Sequence, residues 1–168
     1  TGPRGYTTLY DYNGDQIQKL DGREIRTDML GWYCYRYTDN RGETWSDRYR
    51  LPVRKTHVDS INDWKGEVQI MWGIGKPVDM NEGMMCAFTK IGKYMLDRSE
   101  GWFFKCLNIN KERDPEKLNW VMLPEGNYGL RTPKFGPIQS EQNIFQLNNG
   151  DIYCMYRTIT GHPVSAYS

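Results

Sequence analysis

Five side chains in this sequence have the types and spacing to meet at one site, as a carboxylate, two imidazoles, a guanidinium and an ammonium: His57, Lys76, Glu141, Arg157 and His162. Arginine presents a planar fork of donors that grips a carboxylate through two parallel hydrogen bonds, and lysine adds a mobile point charge. A glutamate can accept a proton or orient a neighbouring group, and histidine is the side chain best suited to proton transfer near neutral pH. The segment 57–72 lies over 141–156 without a gap, so His57 and Glu141 take the same place. In the same alignment Gly66 falls on Gly150, Glu67 on Asp151, Val68 on Ile152, Met71 on Met155 and Trp72 on Tyr156. Gly75-Lys76-Pro77-Val78 then matches Gly161-His162-Pro163-Val164, two residues later in the second copy. A weaker third copy, residues 6–15, shares the turn Asn13-Gly14-Asp15 with Asn149-Gly150-Asp151.

The elements that must position these residues are strands. Runs with a period of two, bounded by Gly, Pro, Asn and Asp, recur along the chain. Each repeat reads as a strand, a glycine turn and a second strand, then a G-x-P loop leading to a third. Residues 38–45, Thr-Asp-Asn-Arg-Gly-Glu-Thr-Trp, lie between strand-like runs at 31–37 and 47–55. Asn40 and Gly42 carry the turn chemistry, Thr44 offers a hydroxyl to tie it, and Trp45 is expected to bury its ring beneath it. The pattern predicts an all-β chain built from four-stranded antiparallel units, the blades of a β-propeller. The blades fall at about 6–55, 57–109 and 141–168 of one domain, with His57 and Glu141 each at the head of an inner strand. The turn of the middle blade is expected at Thr89–Lys93, with Gly101-Trp102 as its remnant. Residues 110–136, with Pro115, Pro124 and Pro133, read as a connection holding one short helical turn at 114–117.

The bulk numbers exclude some classes. With 168 residues the chain can bury a real core. Its 22 basic and 21 acidic residues nearly cancel, so it lacks the footprint of a nucleic-acid binder. No apolar run is long enough to span a membrane as a helix. Cys34, Cys86, Cys106 and Cys154 lack metal-site spacing and sit among aromatic and apolar residues, which reads as buried free thiols. No cluster of ligating residues points to a metal, and acid–base work by carboxylates and imidazoles needs no cofactor.

Residues 38–45 resemble the Asp box, S/T-x-D-x-G-x-T-W, of the sialidase (neuraminidase)-like superfamily, with Asn40 at the aspartate position. Residues 140–157 resemble a second pattern of that superfamily: a glutamate heading an inner strand, a run ending in D/N-G, and a strand ending in arginine. The resemblance implies a ring of about six or seven blades, of which this chain holds two to three. It implies that Glu141 assists a tyrosine nucleophile and that Arg157 belongs to a triad clamping the substrate carboxylate; Lys76 is a substrate-binding candidate from the repeat alone, at a second-to-third-strand loop. The other two arginines, the tyrosine and the acid have no assigned counterpart; Asp28 is the nearest candidate for the acid. The implied activity is an exo-acting glycoside hydrolase on an acidic glycan, in a secreted or periplasmic setting. His57 and His162 stand outside that machinery and suit a propeller-type lyase acting on a uronate. A propeller that binds glycans without turnover is the remaining alternative. Ser168 stands where another box would begin, so the rest of the ring is expected from further sequence or another chain.

Overall fold

The computed structural model describes residues 9–10, 16–17, 33–62, 65–70, 73, 75–92, 95–136, 141–158 and 160–168. The fold is mostly antiparallel sheet. Strands β1 (Leu9–Tyr10) and β2 (Gln16–Ile17) pair antiparallel. Strands β3 (Cys34–Tyr35) and β4 (Tyr49–Arg50) form a second two-stranded sheet. A short helix α1 (His57–Ile61) precedes the central sheet, whose order is β5 (Val78–Asp79), β6 (Met84–Gly92), β7 (Met95–Cys106) and β8 (Trp120–Leu123). Strands β9 (Asn143–Gln146), β10 (Ile152–Tyr156) and β11 (Val164–Tyr167) make the last sheet. Among the described residues no helix is long and apolar enough to cross a membrane.

The central sheet is covered on both faces, which is why β6 is buried almost throughout rather than alternating with solvent. Successive side chains on a strand point to opposite faces. Met85, Ala87 and Phe103 pack against Ile144, Cys154 and Tyr156 of the last sheet. Cys86, Phe88, Trp102 and Phe104 point the other way, against Leu51 and the half-buried Tyr33 and Tyr35. Phe88 and Phe104 stack at 4.9 Å, and Tyr33 stacks on Phe88 at 5.3 Å. The sheets containing β3, β6 and β9 therefore lie face to face in chain order.

The turn at 38–45 is closed by polar side chains. The Asn40 carbonyl oxygen accepts from the Thr44 N–H and the Thr38 hydroxyl, each at 2.9 Å, while its amide donates to the Thr44 hydroxyl at 2.8 Å. The Thr38 hydroxyl in turn accepts from the Gly42 N–H at 2.9 Å, and Gly42 sits at φ 95. Trp45 departs from expectation: it is 57% exposed. The face beneath the hairpin is already filled by Tyr33, Tyr35 and Leu51.

Three further expectations are corrected. Residues 57–61 are helical rather than a strand. Asp59 completes a capping box with Thr56, its carboxylate accepting from the Thr56 N–H at 2.7 Å, whereas the equivalent Asn143 begins β9. What survives of the repeat is the left-handed glycine, Gly66 at φ 79 and Gly150 at φ 96, and the strand that follows each G-x-P-V loop. Of the turn expected at 89–93, residues 89–92 are instead strand, where Thr89 pairs with Gly101 between β6 and β7, and Lys93 lies outside the described residues. The fourth strand of the central sheet, β8, comes from inside the expected connection. The 3-10 turn Pro115–Lys117 forms there too, with the Asp114 carboxylate accepting from the Glu116 N–H at 3.1 Å. All four cysteines are free; Cys86, Cys106 and Cys154 are buried and Cys34 is half-buried.

The Lys90 ammonium is fully buried and donates to the Asp59 carboxylate, to the Arg54 carbonyl at 2.6 Å and to the Thr56 hydroxyl at 3.1 Å. Burial pulls its pKa down, and the Asp59 carboxylate pushes back. Removing one partner of such a pair strands the other charge, at about 3–5 kcal/mol. Asp59→Ala is therefore expected to cost about 3–5 kcal/mol in denaturant unfolding. Asp59→Leu combined with Lys90→Met should recover more than half of it; a double variant no more stable than Asp59→Ala contradicts this account.

Candidate functional site

Glu141, Arg157 and His162 come together in one cleft of about 560 Å³, walled also by Tyr156 and Thr158. Glu141 heads β9, in the left-handed region at φ 62. The neighbouring Gln142, only 2% exposed, holds that head in place. Its amide donates to the Phe88 carbonyl at 3.0 Å, and its carbonyl oxygen accepts from the Thr89 hydroxyl at 3.0 Å. A non-glycine residue at positive φ costs of order 1–3 kcal/mol, and such strain gathers at functional positions.

Arg157 follows the last residue of β10 and is exposed. Its Nη1 donates to Glu141 Oε1 at 3.1 Å, with 61% of the arginine side chain and 37% of the glutamate side chain open to solvent. An exposed pair of this kind adds little stability. Its effect is orientation: one donor of a five-donor fork is engaged by Glu141, and Arg157 lines the cleft. His162 lies on the loop between β10 and β11. The Thr158 hydroxyl donates to the His162 carbonyl at 3.1 Å and shares a hydrogen bond with the Thr160 hydroxyl at 2.7 Å, which ties this loop.

His57 and Lys76 do not line that cleft. Lys76 is exposed on the loop before β5, yet the loop passes close to the head of β9. A Cβ on Gly75 would come within 2.5 Å of the Gln142 carbonyl oxygen, so only glycine fits. His57, at the start of α1, lines a second cleft of about 370 Å³ with Arg98, Glu100, Arg131 and Thr132. Asp28 lies outside the described residues.

Register places both clefts at one end of the stacked sheets. Lys90 pairs with Glu100 across β6 and β7, and Gln142 meets Thr89 at that same level. The other end of β9 meets the start of the central sheet, where the Asn81 N–H donates to Gln146 Oε1 at 2.7 Å. The clefts adjoin through Tyr156 and Thr132. The buried Tyr156 hydroxyl has the Thr132 side chain beside it without a completed hydrogen bond, and burial pushes its pKa up.

Glu100 had no place in the sequence reading. Its carboxylate is 2% exposed, accepts from the Gly129 N–H at 3.0 Å and lies 3.6 Å from Arg131 Nε. Burial raises its pKa, opposed by the Gly129 N–H and then by Arg131. Nothing near position 100 in the sequence announces this, because both partners lie about thirty residues away (|i−j| of 29 for Gly129). Among the described residues no group of three or more His, Cys, Asp or Glu is placed to hold a metal ion. No protein-family model matches this chain, and no curated protein matches it significantly.

A carboxyl raised by folding stabilises the fold most below its ordinary value and loses that contribution as pH rises through the raised one. Glu100 therefore makes stability fall as pH climbs above about 4.5. Urea midpoints measured from pH 4 to 7 should fall less steeply in Glu100→Gln than in the parent, since glutamine keeps the acceptor for Gly129. Parallel pH profiles would show that Glu100 is not the group involved.

Proposed function

We propose that the stacked sheets are consecutive blades of a sialidase-like β-propeller, and that the chain is part of a glycoside hydrolase acting on the terminus of an acidic glycan. The observation that carries this reading is the Glu141–Arg157 pair at the head of β9, in a cleft large enough for a sugar ring. Arg157 grips the substrate carboxylate through its open donors. Glu141, fixed against it, accepts a proton from the group that attacks the sugar. The face-to-face order of the sheets supports a propeller, since blades stack that way around a ring.

His162 in the same cleft favours a second reading, elimination at a uronate. There the imidazole removes the C5 proton beside the carboxylate, Arg157 neutralises the charge that develops, and the C4–O bond breaks to leave a C4–C5 double bond, the departing oxygen taking a proton back from the imidazolium or from water. The two reactions differ in product: elimination leaves an unsaturated uronate that absorbs in the ultraviolet, and hydrolysis does not.

Arg157→Lys keeps the charge and loses the fork. With charge-assisted hydrogen bonds worth about 1.5–3 kcal/mol each, kcat/KM on an acidic glycan is expected to fall about 10- to 100-fold. Hydrolysis and ultraviolet absorbance followed in parallel decide between the two reactions, and turnover unchanged in Arg157→Lys would refute both. Acidic-glycan binding without any turnover, unaltered by Glu141→Gln, would instead assign the chain as a binding propeller.

A further inference from the structure

The Glu141–Arg157 cleft opens onto the outward face of the last sheet, and that face continues beyond it. Residues two apart on a strand share a face. Ile144, Cys154 and Tyr156 point inward, against the central sheet. The residues between them point outward and form two rows below the Glu141–Arg157 pair. In the first row Met155 stands opposite Asn143 on one side and Ser165 on the other. In the second, Tyr153 stands opposite Phe145 and Tyr167. Asn143 and Met155 line the same cleft as Glu141 and Arg157, so the first row already belongs to that site. The second row lies two residues further along the strands, about 7 Å away.

That second row is aromatic and open. Phe145 is 46% exposed and Tyr167 78%, and the Phe145 and Tyr153 rings lie with centroids 5.0 Å apart. Ligand sites combine apolar walls with a few placed polar groups, and here the rings continue directly from the charged pair. A sugar ring presents C–H bonds on its faces, and these meet the electron-rich face of an aromatic ring favourably. A second copy of the chain fits the face poorly. Its three strands, about 5 Å apart, and its four-residue edges, at about 3.3 Å per residue, give roughly 200 Å² in plan, against about 800 Å² per partner in a standard interface.

We infer that the row Phe145–Tyr153–Tyr167 is a stacking subsite for the inner sugars of a glycan whose acidic terminus sits in the Glu141–Arg157 cleft. The ligand runs along the outward face of the sheet. Its carboxylate lies on Arg157, its second ring beside Met155 and Asn143, and its third over Tyr153 and the rings that flank it. This inference rests on the acidic-glycan reading above and extends it: the inner sugars are read by their faces rather than by charge. A further sheet laid on this face would cover the same rings, so the two occupants exclude one another.

The test is calorimetric titration of the full chain with sialic acid and sialyllactose, and with galacturonic acid and its linear trimer, beside sedimentation of the free chain. In one series the trisaccharide is expected to bind about tenfold tighter than its monosaccharide. Tyr167→Ala, at a side chain mostly in solvent, should cut that advantage about threefold, and Tyr153→Ala combined with it should abolish the advantage. Both variants should hold the monosaccharide within about twofold of the parent, whereas Arg157→Gln should weaken every probe. A trisaccharide no tighter than its monosaccharide, or an advantage unchanged in both variants, overturns the stacking subsite and leaves the role of Arg157 standing. Self-association of the parent that Tyr167→Ala abolishes also overturns it and gives the face to a second copy. Failure of every probe to bind overturns the subsite and the acidic-glycan reading together.

Discussion

The architecture of this end of the molecule hangs on one buried ammonium. Lys90 lies on the central strand, facing the layer that carries residues 51–62, and binds three groups of that layer at once. An unpaired buried charge is prohibitively costly, so the layer can seat only where Asp59, Thr56 and the Arg54 carbonyl converge on it. Arg54 then spans to the far strand, donating to the carbonyls of Met122, Pro124 and Gly126. The Trp102 ring lies below both cations, at 5.5 Å from Arg54 and 5.7 Å from Lys90. Segment 54–59, the central sheet and the loop after β8 are thereby locked to one another. That lock sets His57 in the same cleft as Glu100 and Arg131, the second one.

The first cleft depends on a different device. Gln142 is a neutral, fully buried side chain whose amide satisfies a backbone carbonyl and a hydroxyl of β6. Neutral hydrogen bonds hold the last sheet to the central one, and a charge holds the opposite layer. The two clefts thus lean on adjacent residues of β6, Thr89 toward Gln142 and Lys90 toward Asp59.

Much of this was legible in the sequence, and the parts that were not share a cause. Turn chemistry is local, so residues 38–45 and the glycines at 66 and 150 announce themselves. Glu141, Arg157 and His162 meet because a hairpin and its following loop bring nearby residues together. The helix at 57–61 could not be read from its own residues, because the lysine that rewards Asp59 lies on a strand 31 residues later. The same distance problem hid Glu100, whose partners come from the loop after β8, and hid β8 itself within a proline-bearing stretch. Periodicity also cannot say which rings a hairpin covers, so Trp45 was expected beneath its turn and lies outside it.

The left-handed backbone at Glu141 has a consequence for the history of this position. Glycine would relax it, at once easing the chain and removing the carboxylate. A library of variants selected only for surviving heat should drift toward glycine there, and one selected for holding a ligand should not. Position 141 is thus where the ease of the backbone and the possession of a carboxylate compete, and the sequence carries the carboxylate.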